Sequence, residues 1–277
     1  MQSVQHMVRT GRRGPMHEFS MAFADLRASF DRIGLAWSLA WHDVVSRYRG
    51  SILGPFWITL SMGLMVAGIG FLYANLFKVP VNEFIPYVAL GIVFWGMIAN
   101  VILEGCQTFV QASGILSQTS LPMMTFVWRT VLRNLINLLH HVVIIVGVLV
   151  FYDHWRQANV PVGLIGVILL MLNISWMSLA VGMASARFRD IPQIVGSVIQ
   201  FSMFMTPVFW LPGGRLVDHA VLLLNPFYHL LEVVRAPLLG QSVDALTYIV
   251  LSILAVVGWV ATFSTFAVIR RRIVHYL

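Results

Sequence analysis

Apolar and polar positions are arranged along this chain in long blocks rather than in short alternations. Six continuous apolar stretches, about residues 56–77, 85–103, 131–152, 161–186, 194–210 and 246–269, carry almost no charge. Each is close to the roughly 20 helical residues that a hydrocarbon core about 30 Å thick requires at 1.5 Å per residue. Lipid offers no partner to backbone N–H and C=O groups, so helices that satisfy their own backbone are expected. A membrane barrel would instead show ten-residue strands of alternating polarity. In the fourth stretch Ser178, Gly182 and Ala186 fall on one helical face. Small residues at that spacing let two helices approach closely, either within the chain or in a dimer.

A different periodicity precedes the first stretch. Phe23, Leu26, Phe30, Ile33, Trp37, Trp41, Val44 and Tyr48 follow one another in steps of three or four, with Asp25, Arg27, Asp31, Arg32, Asp43 and Arg47 elsewhere. Residues 23–49 therefore read as an amphipathic helix lying in the inner interface, as an anchor or as a docking face. Residues 1–22 are polar, broken by Gly14 and Pro15, and no apolar core follows Arg12-Arg13, so no cleavable signal is expected. Gly54 and Pro55 mark the turn into the first span, glycine for a tight bend and proline for a first helical turn. Residues 114–122, between spans two and three, form a short, nearly uncharged helix closed by Pro122. Residues 211–244 are too long for a turn, and Pro226 and Pro237 interrupt them. Two short helices dipping into the outer leaflet, a lid at the mouth of a pathway, fit better than a seventh crossing.

Composition agrees with the block pattern. The 277 residues are 58% hydrophobic and only 10% charged, with mean hydropathy +0.82, against about 25% charged in water-soluble domains. With the N-terminus inside, fourteen of the eighteen basic residues face the cytoplasm, leaving Lys78, Arg156, Arg215 and Arg235 outside. That bias places both termini in the cytoplasm. It also accounts for the net charge of +7, so anionic headgroups are a sufficient partner and nucleic acid need not be invoked. Cys106 is the only cysteine, which excludes an internal disulfide and a cysteine-cluster metal site.

Candidate chemistry is sparse. Arg47 and Arg49 flank Tyr48 at headgroup depth, where a guanidinium can hold a phosphate bidentately or simply anchor the chain. Arg129 and Arg133, four apart, read as snorkelling to phosphate. His140 and His141 lie inside span three, where ionisable groups draw attention. Adjacent helical residues point about 100° apart, so neutral imidazoles bonded to a neighbouring helix are expected rather than an ion site. No carboxylate sits deep in a span, which counts against proton-coupled transport, and no selectivity-filter sequence appears. The only lysine is Lys78, in an outer loop, so the chain lacks a phosphate-cradling loop and any nucleotide drive must come from another polypeptide. Trp57, Thr59, Ser61 and Tyr73 in span one, and Gln200, Phe201, Phe204 and Thr206 in span five, are candidates to line a sugar path. Packing and interfacial anchoring are the plainer alternatives.

Three segments together resemble the permease subunit of ABC-2 type polysaccharide exporters, the O-antigen branch in particular. They are Arg47-Tyr48-Arg49-Gly50-Ser51-Ile52-Leu53-Gly54-Pro55-Phe56-Trp57; Arg187-Phe188-Arg189-Asp190-Ile191-Pro192-Gln193 followed by Met205-Thr206-Pro207-Val208-Phe209; and Leu224-Asn225-Pro226-Phe227-Tyr228-His229-Leu230-Leu231-Glu232. The resemblance implies an all-α membrane fold of the type V ABC exporter kind. That fold has six transmembrane helices, an N-terminal interfacial helix and re-entrant periplasmic gate helices between spans five and six. It implies a homodimer with two copies of a separate ATPase, which would hold the ATP and Mg²⁺, no cofactor being expected in this chain. The cargo would be an undecaprenyl-diphosphate-linked polysaccharide crossing the bacterial inner membrane. By the same resemblance Arg47, Tyr48, Arg49, Gly54 and Pro55 would form the loop that meets the diphosphate. Gly114, Ile115, Leu116, Ser117, Leu121 and Pro122 would form the coupling helix in the ATPase cleft. Spans one and five would line the path, with Asn225, Pro226, Phe227, Tyr228, Glu232 and Arg235 at the outer gate. Capsule or teichoic-acid-like glycan exporters share this layout, drug and small-lipid exporters belong to the same class, and a six-span carrier or channel is the alternative of a different kind.

Overall fold

The computed structural model describes residues 15–212 and 219–276, and no strand occurs among them. Arg9, Arg12, Arg13 and Arg215, counted above in the charge asymmetry, lie outside the described residues, as do Gly213 and Gly214 of the outer segment. Twelve α-helices follow in order among the described residues: α1 Pro15–Asp31, α2 Ile33–Arg47, α3 Phe56–Phe77, α4 Val81–Gly105, α5 Thr108–Gln111, α6 Ser113–Gln118, α7 Met124–Phe151, α8 Val160–Arg187, α9 Ile191–Met205, α10 His219–Leu223, α11 Pro226–Leu238 and α12 Ala245–Tyr276.

Five of them, α3, α4, α7, α8 and α12 as far as Ile273, are long and apolar enough to cross a bilayer. The sixth apolar stretch behaves differently. Helix α9 has 15 residues, about 22 Å at 1.5 Å each, and is too short to cross alone. It stops because Pro207 follows Thr206. The proline ring excludes the helical conformation from the preceding residue, and Thr206 is extended (φ −101°, ψ 135°).

Helix α4 is the hub. It is buried on nearly all sides and contacts α3, α7, α8, α9 and α11. The other long helices keep large apolar residues on outward faces, such as Leu64, Phe71, Val143, Val146, Ile165, Val256 and Val260, as a lipid-facing bundle requires. The small face of α8 packs internally. A Cβ on Gly182 would lie 2.9 Å from the Gly105 carbonyl of α4, so this stripe joins two helices of one chain.

The N-terminal amphipathic segment is two helices with a break at Arg32. Its sidedness is also inverted with respect to bulk. Ala22, Ser29, Ala36, Ala40 and Val44 face the bundle, while Phe23, Phe30, Ile33, Trp37 and Trp41 are exposed. Small residues let the segment lie close against α7 and α12, and the large apolar ones remain for the interface.

Candidate functional site

Three groups of side chains occupy the two ends and one flank of the bundle. At the end bearing the basic residues, α2, α4 and α7 meet in an ion network. Arg129 donates through Nε and Nη2 to the two oxygens of Asp43 at 2.7 and 2.6 Å. Arg133 donates to Asp43 at 3.0 Å and, through Nε and Nη2, to Glu104 at 3.0 and 2.7 Å. Asn134 adds a donor to the same Glu104 oxygen at 2.7 Å. Arg47 reaches the other Glu104 oxygen at 3.7 Å and is 56% exposed. Arg129 and Arg133 therefore do not snorkel to headgroups; both forks turn inward onto carboxylates. Burial alone would raise the pKa of Asp43. The hydrogen bonds and charge of Arg129, then those of Arg133, outweigh it and hold the carboxyl below its ordinary value. Arg49 is exposed and Tyr48 half-buried, and Gly50 and Gly54 adopt φ of +84° and +53° in the turn between α2 and α3. Pro55 caps α3.

The 113–122 segment lies against α1 and α12. Leu116 and Pro122 are buried, Leu121 is half-buried, and Gly114, Ile115 and Ser117 are exposed. Asp25 of α1 accepts the backbone N–H groups of Met123 and Met124 at 3.1 Å each, so it caps the start of α7. Burial dominates its pKa and raises it, partly countered by those N–H groups and by Arg270. Arg270 of α12 in turn donates to the Met21 carbonyl at 2.6 Å.

The flank is formed by α3 and α9. Trp57, Ser61, Gln200, Phe201 and Phe204 are exposed there. Phe204, Phe209, Tyr73 and Phe77 form a continuous row of ring contacts, with successive centroids 6.1, 5.7 and 5.5 Å apart. Two of the lining candidates are placed otherwise. Thr59 is buried and donates to the His140 carbonyl at 3.1 Å. Thr206 is fully buried and accepts from Asn225 Nδ2 at 2.9 Å. The His140 ring bonds to the Ile136 carbonyl of its own helix at 2.8 Å, whereas His141 bonds to the Ile58 backbone of α3, a neighbouring helix.

At the opposite end, α11 runs antiparallel to α4. Arg235 stacks over the Tyr87 ring at 3.9 Å, and Phe227 meets Trp95 edge-on at 5.7 Å. The two contacts lie eight residues apart on each helix, so α11 follows α4 for about 12 Å between them. Asn225 both caps α11, accepting from Phe227 N at 3.0 Å, and donates to the last carbonyl of α9, Met205, at 3.3 Å. Two helix ends thus meet inside the bundle through one amide. Arg235 is buried, with bonds to Glu232 at 2.6 Å and to the Pro207 carbonyl at 2.5 Å. Tyr87 donates to that same carbonyl at 3.0 Å. Pro226 is exposed and Tyr228 half-buried. His229, part of the third resembling segment but not among its gate candidates, is fully buried between Thr247 and the Leu223 carbonyl, 2.9 Å from each.

The sequence profile of ABC-2 type transporters matches residues 34–239. The chain is also 24% identical over 219 residues to the "O-antigen export system permease protein RfbA" of Myxococcus xanthus, covering 76% of this chain and 82% of that protein. The matched region runs from α2 to the last turn of α11 and takes in the ion network, the α3–α9 flank and the capped junction. Permeases of this kind are membrane subunits that work with an ABC ATPase. This chain is a multi-pass membrane protein that belongs to the ABC-2 type transporter family.

Proposed function

We propose that the chain is the permease subunit of an ATP-driven exporter of O-antigen type. It moves an undecaprenyl-diphosphate-linked polysaccharide across the bacterial inner membrane, with both termini in the cytoplasm. It acts as a homodimer with two copies of a separate ATPase, which binds the ATP and Mg²⁺. The observation that carries this reading is the similarity to an O-antigen export permease over most of both chains. The exposed α3–α9 flank supports it. Ring faces at Phe201, Phe204 and Tyr73 suit the C–H faces of sugars, and the Ser61 hydroxyl and Gln200 amide suit their hydroxyls. In a dimer this flank encloses the path, without Thr59 and Thr206. Arg47 and Arg49 meet the diphosphate, the exposed face of residues 113–122 docks in the ATPase cleft, and α10 with α11 forms the outer gate.

Removal of the partner ATPase from the producing cell should abolish surface polysaccharide and leave this chain inserted in the membrane. Undiminished surface polysaccharide in that strain would refute the dependence. Arg47→Ala with Arg49→Ala should cut export severalfold at normal protein level, measured by surface glycan staining. Wild-type export by the double variant would leave these arginines as anchors only.

A further inference from the structure

The ion network at the junction of α2, α4 and α7 holds three guanidinium groups and two carboxylates, so one positive charge is left over. Arg133 is fully engaged, but Arg47 is 56% exposed and its contact with Glu104 is long, at 3.7 Å. Arg129, 21% exposed, presents its fork to Asp43 through two parallel bonds. A phosphate oxygen pair accepts from a guanidinium fork in the same geometry as a carboxylate and carries more charge. Asp43 occupies the place such a group would take.

Asp43 is also the charged residue that ties α2 to α7, beside a close helix–helix contact that is built from small side chains. The apolar contact there consists of Ala40 and Val44 against Ile136, with Ile58 and Leu132 at its edge. The chain beyond α2 turns through Gly50 and Gly54, both left-handed and both with open space where a Cβ would stand. A helix seated closely through small side chains and one charge cluster, next to a turn with room to bend, can shift on its seat when the charges are satisfied by something else.

We propose that Arg47, Arg129 and Arg133 form a phosphate-keyed latch. A phosphate or diphosphate group carried by a lipid at this membrane surface displaces the Asp43 carboxylate from Arg129, recruits Arg47, and frees α2 to swing away from α7. Asp43 leaves as an anion into water, so the exchange needs no proton. The inference rests on the exporter reading for the natural ligand, but not for the anion chemistry.

The test uses the full chain in lipid nanodiscs, with spin labels introduced through Ser38→Cys on α2 and Leu139→Cys on α7. Both positions are exposed, and native Cys106 is buried. The probes are farnesyl diphosphate, farnesol and added phosphatidylglycerol. Farnesyl diphosphate should bind and lengthen the interlabel distance, and farnesol should do neither. Asp43→Asn should tighten binding about tenfold and Arg129→Gln should weaken it about tenfold, the range expected for hydrogen bonds to charged groups. Glu104→Gln, which leaves the Arg129–Asp43 pair intact, should also tighten binding and guards against misfolding of the first variant. A distance change with phosphatidylglycerol alone would assign the latch to bulk anionic lipid, and a change only with the diphosphate to the prenyl carrier. An unmoved α2 with both, or variants binding within about twofold of wild type, would overturn the latch. Export measured in parallel separates the two readings: export that persists while the latch fails removes this inference alone.

Discussion

Arg235 keeps a full charge on a side chain that is 1% exposed, and every feature of its surroundings serves that charge. Glu232 neutralises it, the Pro207 carbonyl accepts a third bond, and the Tyr87 ring covers its face. Removing one partner of a buried pair leaves the other uncompensated, at a cost of about 3–5 kcal/mol. Arg235→Ala should therefore lower the thermal unfolding temperature of the detergent-solubilised protein markedly. Arg235→Lys should not restore it, because an ammonium has neither the planar fork nor the stacking face; a lysine variant as stable as wild type would contradict this geometry. The same scale shows what sequence reading missed. Glu232 and Arg235 were visible as a pair three residues apart, whereas Tyr87 and Pro207 were not. Their positions are more than a hundred residues from each other, and only the fold brings them to one carbonyl. Likewise Arg129 and Arg133 resemble headgroup anchors until Asp43 and Glu104 are placed opposite them. Thr59 and Thr206 resemble lining hydroxyls until their partners are known.

Among the elements, α2 offers the clearest pH behaviour. The pKa of Asp43 is lowered, so its contribution to docking α2 is complete above the ordinary carboxylate value and is lost only as pH falls through the lowered one. The distance between α2 and α7 should stay constant from about pH 8 to about pH 5. A transition centred near neutrality would mean that another group controls the helix. The junction between α9 and α11 depends on one amide, Asn225. Asn225→Leu removes the α11 cap and the donors to Met205 and Thr206 together. Loss of a cap costs roughly 1 kcal/mol, and the unpaired carbonyl roughly 1–3 kcal/mol more. Faster hydrogen exchange confined to residues 205–230 would be the measurable result, and unchanged protection there would exclude the junction. Gly91 allows the segment after α9 to lie on α4, since a Cβ would collide with the Val208 carbonyl. That close approach could not be read from a lone glycine in an apolar run.

Over the whole molecule, the five long apolar helices were legible because lipid tolerates neither charge nor an unsatisfied backbone, and both demands are written residue by residue. The shortness of α9 was legible in principle from Thr206-Pro207, but hydropathy alone ran through it to Trp210. Periodicity marks the bulky face of α1 and α2 for the interface, but the small-residue face against α7 and α12 escaped, because periodicity identifies a face without saying what covers the other. The proposed function makes this chain a conduit driven by a separate ATPase. The most direct measurement is transport in proteoliposomes that contain the chain and its cognate ATPase, with prenyl-diphosphate-linked glycan supplied on the ATPase side. A glycan-cleaving enzyme on the opposite side reports arrival. Cleavage should require ATP, both polypeptides and the diphosphate linkage. Cleavage without the ATPase, or ATP hydrolysis by this chain alone, would contradict it.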